Sequence, residues 1–208
     1  DAGWIYHSEV CIWKDPLIAA TRTKAIGLMH KQICKDSALC RQGLADYLVT
    51  VRKSGPNLDP IDHPYGLNDV DMDQRKNSES HILWRSIEIW QRYASPVWMD
   101  INQTRTLQYR EARSEQDERH ICPLQLDVIE RGIDLWSRPG DVVYSPFMGI
   151  GSEGHCALNA GRSFLGCELK ASYFDVAVKN LEAAEESLRV KQGSLDLNIE
   201  TNSTNQRP

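Results

Sequence analysis

No apolar run in this sequence approaches the roughly 20 residues that a membrane-crossing helix needs, so no stretch reads as a membrane span. The opening "DAGWIYHSEV" has neither the basic flank nor the apolar segment of a secretory leader. It also lacks a methionine and runs straight into a strand-like pattern, as a chain that starts mid-domain would. The six cysteines, at 11, 34, 40, 122, 156 and 167, include no C-x-x-C pair, and the six histidines are scattered without ligand spacing. That pattern excludes the usual zinc modules. A chain of 208 residues can bury a core without disulfide staples. Reduced thiols in a cytoplasm are the expectation, with Cys156 and Cys167 acting as small hydrophobes.

Positive charge is also in short supply. The net charge is −5 and the isoelectric point about 5.7, which weighs against binding nucleic acid with the whole surface. The basic residues are unevenly placed, however. Between Thr21 and Lys53 lie Arg22, Lys24, Lys31, Lys35, Arg41, Arg52 and Lys53, opposed only by Asp36 and Asp46.

What is present reads as an α/β protein. "WIYHSEVCIW" alternates as a strand does, with Ile5, His7 and Glu9 set against Tyr6, Ser8 and Val10; "DYLVTVRK" at 46–53 is a second strand. Together 1–53 read as a hairpin region carrying a basic, partly helical excursion at 15–45. A structureless loop of that length is uncommon without a function. Residues 54–119 read as an irregular and helical insert, with a helix in "ILWRSIEIWQRYA". From 120 to 188 the pattern is helix–β–α–β–α, half of a doubly wound parallel sheet. Pro123 is expected at the first position of an amphipathic helix carrying Leu126, Ile129, Ile133 and Trp136. Ser152 is expected as the N-cap of the next helix and Gly161 just past its end. The last helix should bury Phe174, Ala177, Val178, Leu181 and Leu188. Residues 189–208 hold few apolar side chains and read as a disordered tail.

Within "DVVYSPFMGIGSEGHCALNAGRSFLGCELK", Gly149, Gly151 and Gly154 spell G-x-G-x-x-G between a strand and a helix. Such a loop offers free backbone N–H groups and the positive end of a helix dipole. Glu168 ends the following strand, where an acid can accept from two ribose hydroxyls. NAD, FAD and S-adenosylmethionine all fit those features, and so does a tight turn with no ligand. Three features tilt the balance. Pro146, Phe147 and Met148 crowd a position where a dinucleotide motif wants small residues. Glu153 would repel a pyrophosphate. Too little chain follows Glu168 for a second mononucleotide half. A nucleoside without a pyrophosphate fits better.

Here "SPFMGIGSEG" resembles the D-P-F-x-G-S-G-T cofactor motif of DNA amino-methyltransferases. "HICPLQLDVIER" resembles their neighbouring H-P-T-x-K-P motif, and "FLGCELKASYFDVAVKNL" the next, an acid followed by a helix. The order, with the cofactor motifs at the C-terminal end, resembles the permuted β class, in bacterial or phage-borne enzymes of restriction–modification type. The resemblance implies a Rossmann-like S-adenosylmethionine-dependent methyltransferase fold with a mixed sheet, incomplete at the N-terminus. It implies a cytoplasmic enzyme that moves a methyl group from S-adenosylmethionine to the exocyclic amine of a flipped adenine or cytosine in double-stranded DNA. It puts Glu168, Phe147, Gly149, Gly151, Ser145, Ser152, Pro123, Cys122 and His120 at the cofactor. Arg22, Lys24, Lys31, Lys35 and Arg41 become candidate phosphate contacts, which would make DNA binding salt-dependent; Gln32 or Gln42 could read an adenine edge.

The chain departs from the family in several places. The leading Asp is Ser145, which removes a carboxylate near the cofactor's ammonium. The Lys-Pro of the neighbouring motif is Leu124-Gln125, which removes a cation near its carboxylate. The family's [D/N/S]-P-P-[Y/F/W] catalytic loop is missing, since no two prolines are adjacent. "SPVW" at 95–98 echoes it with Val97 in third place. In the β order the loop precedes Asp1, so no catalytic residue is assigned. Either a catalytic half belongs before this chain, or the chain is an inactive methyltransferase-like module that binds DNA or protein. A homo-oligomer would be a further possible partnership.

Overall fold

The computed structural model describes residues 3–63, 66–67, 79–108 and 123–204. The chain divides into two compact units, Asp1–Gln103 and Thr104–Pro208. Among the described residues no helix is long and apolar enough to cross a membrane.

The first unit is built on a three-stranded mixed sheet in the order β2-β1-β3. Strands β1 (Trp4–Ile12) and β2 (Asp46–Lys53) pair antiparallel from Trp4 opposite Lys53 to Ile12 opposite Asp46. The β-branched and aromatic residues that make these segments legible form the ladder. A bulge lies between Tyr6 and Ser8. It shifts the strict alternation expected across His7, because one extra residue turns the following side chains to the other face. Ser8 Oγ lies 2.6 Å from Thr50 Oγ1 across the pair just beyond it. Strand β3 (Val97–Trp98) adds in parallel to the end of β1.

The excursion is organised rather than loose. Helix α1 (Pro16–Thr23) starts where the Asp15 carboxylate accepts from Leu17 N at 2.7 Å, with Pro16 supplying a pre-set φ. It ends at Lys24, in the left-handed region at φ 53°, whose N–H donates to Ala20 O. A 3-10 turn (Ile26–Leu28), helix α2 (His30–Lys35) and a second 3-10 turn (Ser37–Leu39) complete it. Helix α3 (Glu79–Tyr93) leads to β3, and Ile89, Trp98 and Ile101 are buried.

In the second unit, strands β4 (Val142–Ser145) and β5 (Ser163–Gly166) pair in parallel, joined through helix α5 (Ser152–Asn159). Helix α4 (Leu126–Trp136) precedes them and helix α6 (Ala171–Thr204) follows. The core joins Leu126, Ile129 and Ile133 of α4 to Cys156 and Ala157 of α5, with Val143 and Phe164 packed on it. Val142, Tyr144 and Leu165, on the opposite face of the two strands, are exposed.

Several expectations need correction. Helix α4 starts at Leu126 with Gln125 as its N-cap, so Pro123 stands in the approach rather than at the first turn. The reason is remote in sequence: Leu126 N donates to Arg105 O at 2.9 Å, which sets where the helix begins. The N-cap of α5 is Gly151 at φ 85°, and Ser152 is the first helical residue. A serine at Gly151 would be strained in that left-handed conformation. On α6 Ala177 is buried as expected, together with Val176 and Ala184 among the described residues, whereas Phe174 and Val178 are exposed. The helix also continues to Thr204, through most of the expected disordered tail. Scarcity of apolar residues argues against packing but not against backbone hydrogen bonding, and Arg189 can pair with Glu185 and Glu186 along it. Gly161, at φ 72°, does follow the end of α5.

Cys156 is buried at the α4–α5 contact, and burial pushes its thiol up to about 12, with the Glu130 carboxylate acting in the same direction. At pH 8, a thiol reagent should therefore label exposed Cys34 and Cys167 in the native protein and Cys156 only after denaturation. Peptide mass spectrometry reads the outcome; native labelling of Cys156 would contradict this packing.

Candidate cofactor loop

The loop after β4 is tied to the loop after β5. Cys167 N donates to Ser145 O at 2.9 Å, and Met148 N to Cys167 O at 3.0 Å. Gly149 (φ 54°) and Gly151 (φ 85°) take left-handed conformations that turn the chain into α5. Gly154 serves packing instead: a Cβ there would sit 2.6 Å from both Phe164 of β5 and Leu181 of α6. The three glycines thus divide between turning the chain and letting the helix close on the sheet and its neighbour.

Glu168 joins the two loops. Its Oε2 accepts from Gly149 N at 3.0 Å and its Oε1 from Lys170 N at 2.9 Å. It stands two residues past the end of β5 rather than in the strand. A carboxylate oxygen has about two lone pairs, so each oxygen keeps acceptor capacity for a ligand hydroxyl. Asn180 Nδ2 donates to Ile150 O at 2.9 Å, which holds the glycine turn from the α6 side.

Ser145, Gly149, Gly151, Ser152 and Glu168 are therefore brought together around one turn. Ser145 and Ser152 are buried there. The bulky residues divide: Met148 is buried and fills the loop's interior, whereas Phe147 is 86% exposed. Pro123 lies near the start of α4. His120 and Cys122 lie outside the described residues.

Arg105 is absent from the residues that the sequence singles out. Its guanidinium bonds Asp127 at 2.6 Å and both oxygens of Glu130, and these hydrogen bonds raise its pKa. The pair of acids three residues apart at the start of α4 was the one available hint.

In the first unit, Arg22, Lys24, Lys31, Lys35 and Arg41 are exposed and form no ion pair among the described residues. Arg22 Nη2 donates to Gln103 O at 3.3 Å, and Arg41 N to Gly27 O at 3.0 Å. Gln32 is buried and donates to Asp36 O, so it is spent internally; Gln42 is exposed. Trp98 has no exposed surface, and its indole N–H donates to Tyr93 O. It cannot stack on a base as the aromatic of "SPVW". A groove of about 810 Å³, lined by Trp13, Leu17, Met29, Ile33 and Leu44 among others, opens in this unit. It contains none of the glycine-loop residues, and its lining is mostly apolar.

A family model described as DNA methylase matches residues 12–179. The chain belongs to the DNA methylase family. Among curated relatives, the Type II methyltransferase M1.MboII of Moraxella bovis is 43% identical over 58 residues, 28% of this chain and 22% of that protein. The Type II methyltransferase M.ScaI of Streptomyces caespitosus is 38% identical over 79 residues, covering 37% and 26%. The DNA adenine methyltransferase YhdJ of Escherichia coli K12 is 31% identical over 83 residues, covering 38% and 28%. The matched segments thus span about a quarter of these relatives' lengths. Among solved structures, a Thermus thermophilus protein described as a DNA modification methylase, complexed with S-adenosyl-L-methionine, superposes with a TM-score of 0.53 at 20% identity. That match covers 88% of this chain and 55% of the Thermus chain. It supports the Rossmann-like methyltransferase fold.

Proposed function

We propose that this methylase chain carries the S-adenosylmethionine site of a DNA amino-methyltransferase, with an exocyclic amine of adenine or cytosine as the methyl acceptor. The observation that carries the reading is Glu168, held by Gly149 N and Lys170 N at the rim of the glycine turn. A carboxylate fixed by two backbone donors is oriented before a ligand arrives and can take a ribose hydroxyl on each oxygen. Exposed Phe147, next to the turn, offers an aromatic surface to the adenine. The Thermus protein with the same fold was crystallised with S-adenosyl-L-methionine, which supports the same cofactor here. Arg22, Lys24, Lys31, Lys35 and Arg41, exposed and without an ion pair among the described residues, are proposed phosphate contacts.

The cofactor supplies the methyl group on its sulfonium. The chain's residues would bind and orient it. The acceptor nitrogen is a weak nucleophile because its lone pair is delocalised into the ring, so in-line placement has to contribute much of the rate. No Pro-Pro loop lies within these 208 residues to accept from that amine. The chain is therefore expected to bind S-adenosylmethionine by calorimetry but to transfer no tritium from labelled cofactor to DNA by itself. Absence of binding at millimolar cofactor overturns the site, and transfer of label overturns the expectation that these residues do not catalyse by themselves.

A further inference from the structure

Strand β2 has β1 on one side, and among the described residues no strand pairs with its other edge. The direction of its backbone groups follows from β1. Cys11 N donates to Pro96 O at 2.9 Å and Trp13 N to Trp98 O at 3.0 Å, so Cys11 and, two residues back, Glu9 turn their backbone groups towards the β3 side. Cys11 stands opposite Tyr47 and Glu9 opposite Val49. In an antiparallel ladder such pairs exchange no hydrogen bonds. Tyr47 and Val49 therefore turn their N–H and C=O groups away from β1, and Val51 follows by the period of two.

An open edge of eight residues is a template for another strand unless something blunts it. Strand β2 carries no proline, and the bulge of this pair is on β1. Tyr47, Val49 and Val51 are exposed, as are Trp4 and Tyr6 of β1. Tyr6 lies opposite Val51 and Trp4 opposite Lys53, so these five apolar side chains share one face of the sheet. The two ends of β2 differ in charge, with Asp46 at one and Arg52 and Lys53 at the other. The Asp46 carboxylate takes Lys14 Nζ at 2.6 Å but stays partly exposed, so it keeps room for a second cation. Arg52 is exposed and forms no ion pair among the described residues.

A strand with opposite charges at its ends is complementary to itself when it runs antiparallel to a copy. We propose that two copies of this 208-residue chain join edge to edge through β2, about a two-fold axis at Val49, extending the three-stranded sheet to six strands. Tyr47, Val49 and Val51 carry the outward backbone groups, so these must meet one another. The pairing sets Val49 opposite Val49 of the second copy, Tyr47 opposite its Val51, Leu48 opposite its Thr50 and Asp46 opposite its Arg52. Tyr47–Val51 and Val49–Val49 are then the hydrogen-bonded pairs. Asp46–Arg52 is a non-hydrogen-bonded pair, where side chains stand closer. The aromatic–β-branched pairs and the two ion pairs all favour the seam. The neighbouring registers, with Val49 opposite Val51 or opposite Tyr47, move Asp46 away from Arg52 and lose both ion pairs.

The test reads the oligomeric state of the whole chain by sedimentation velocity. A seam of one strand per copy belongs with weak associations, so the concentration is varied from about 1 to about 200 µM. Wild type is expected to pass from monomer to dimer across that range. Val49→Pro removes an N–H that points away from β1, so the β1–β2 ladder stands and the seam is lost. This variant should stay monomeric, with the circular dichroism of wild type. Arg52→Asp and Asp46→Arg each set like charges opposite each other twice, and each should weaken the dimer about tenfold or more. Mixed in equal amounts, the two variants set aspartate opposite arginine at both places and should recover a dimer within about threefold of wild type. Should Val49→Pro not fold, the mixture decides alone. A wild type that stays monomeric overturns the proposal. A dimer that folded Val49→Pro leaves intact has its seam elsewhere and overturns it too, as does a mixture no tighter than either variant by itself.

Discussion

Replacing Glu168 by alanine is expected to weaken S-adenosylmethionine binding by about 100-fold. Hydrogen bonds to a charged group contribute about 1.5–3 kcal/mol each, and two ribose hydroxyls are at stake. The substitution also leaves Gly149 N and Lys170 N without their acceptor, which loosens the turn that forms the rest of the site. Glu168→Gln should rescue little. Glutamine has one acceptor oxygen, and two backbone donors compete for it. Aspartate, one methylene shorter, cannot span the two loops as Glu168 does. Binding by calorimetry should therefore fall in all three variants. A cofactor analogue lacking the ribose hydroxyls separates direct contact from loop support. Wild type should bind it weakly, and Glu168→Ala should bind it no more weakly than it binds the full cofactor. If the hydroxyl-less analogue loses equally in wild type and variant, Glu168 holds the loop and does not touch the ribose.

Gly154→Ala is expected to be the most destabilising single methyl group that this unit can receive at the glycine turn. In an exposed helix the change would help by about 1 kcal/mol, through helix propensity. Here the new Cβ would meet Phe164 and Leu181 at 2.6 Å, well inside van der Waals contact. An aromatic ring on the sheet and a side chain of α6 would both have to move. Overpacking of this kind costs about 1–3 kcal/mol, and with two contacts at 2.6 Å the cost falls at the upper end, which leaves a net loss of about 2 kcal/mol against the propensity. Thermal unfolding should show a fall in Tm of about 4–8 °C, together with weaker cofactor binding, because α5 carries the turn away from Glu168 as it shifts. A Tm equal to or above wild type would mean that the close approach of α5 to β5 and α6 is not needed.

Both substitutions fall in a part of the chain whose elements are legible from residue type. The β4–α5–β5 run is one such stretch, and strand β2 is another, legible to its ends at Asp46 and Lys53. In those segments local chemistry decides: β-branched and aromatic alternation, and glycines or a proline at the breaks. The bulge at His7 is not legible, because it depends on the partner strand rather than on β1 itself. The start of α4 falls beyond Pro123, the position that local signals favour, because Arg105, far earlier in the chain, sets it. Phe147 and Met148 are adjacent, equally bulky and apolar, and only the fold sends one outward and the other into the loop.

The sequence by itself determined the glycine turn, the acid that follows it, the basic excursion between two strands and the family they resemble. These are matters of residue type and short spacing, and short-range sterics and hydrogen bonding govern them. Tertiary structure decided which acceptors are already in use and which remain open. Each Glu168 oxygen accepts from one backbone N–H group and keeps room for another donor, whereas Glu153 is half-buried with no ion pair among the described residues. It also decided that Trp98 is core and that Gln32 is internally bonded. Burial and partnership depend on residues distant in the chain, which is why two glutamates on either side of one helix and strand look alike in sequence and differ in what each has left to offer a ligand.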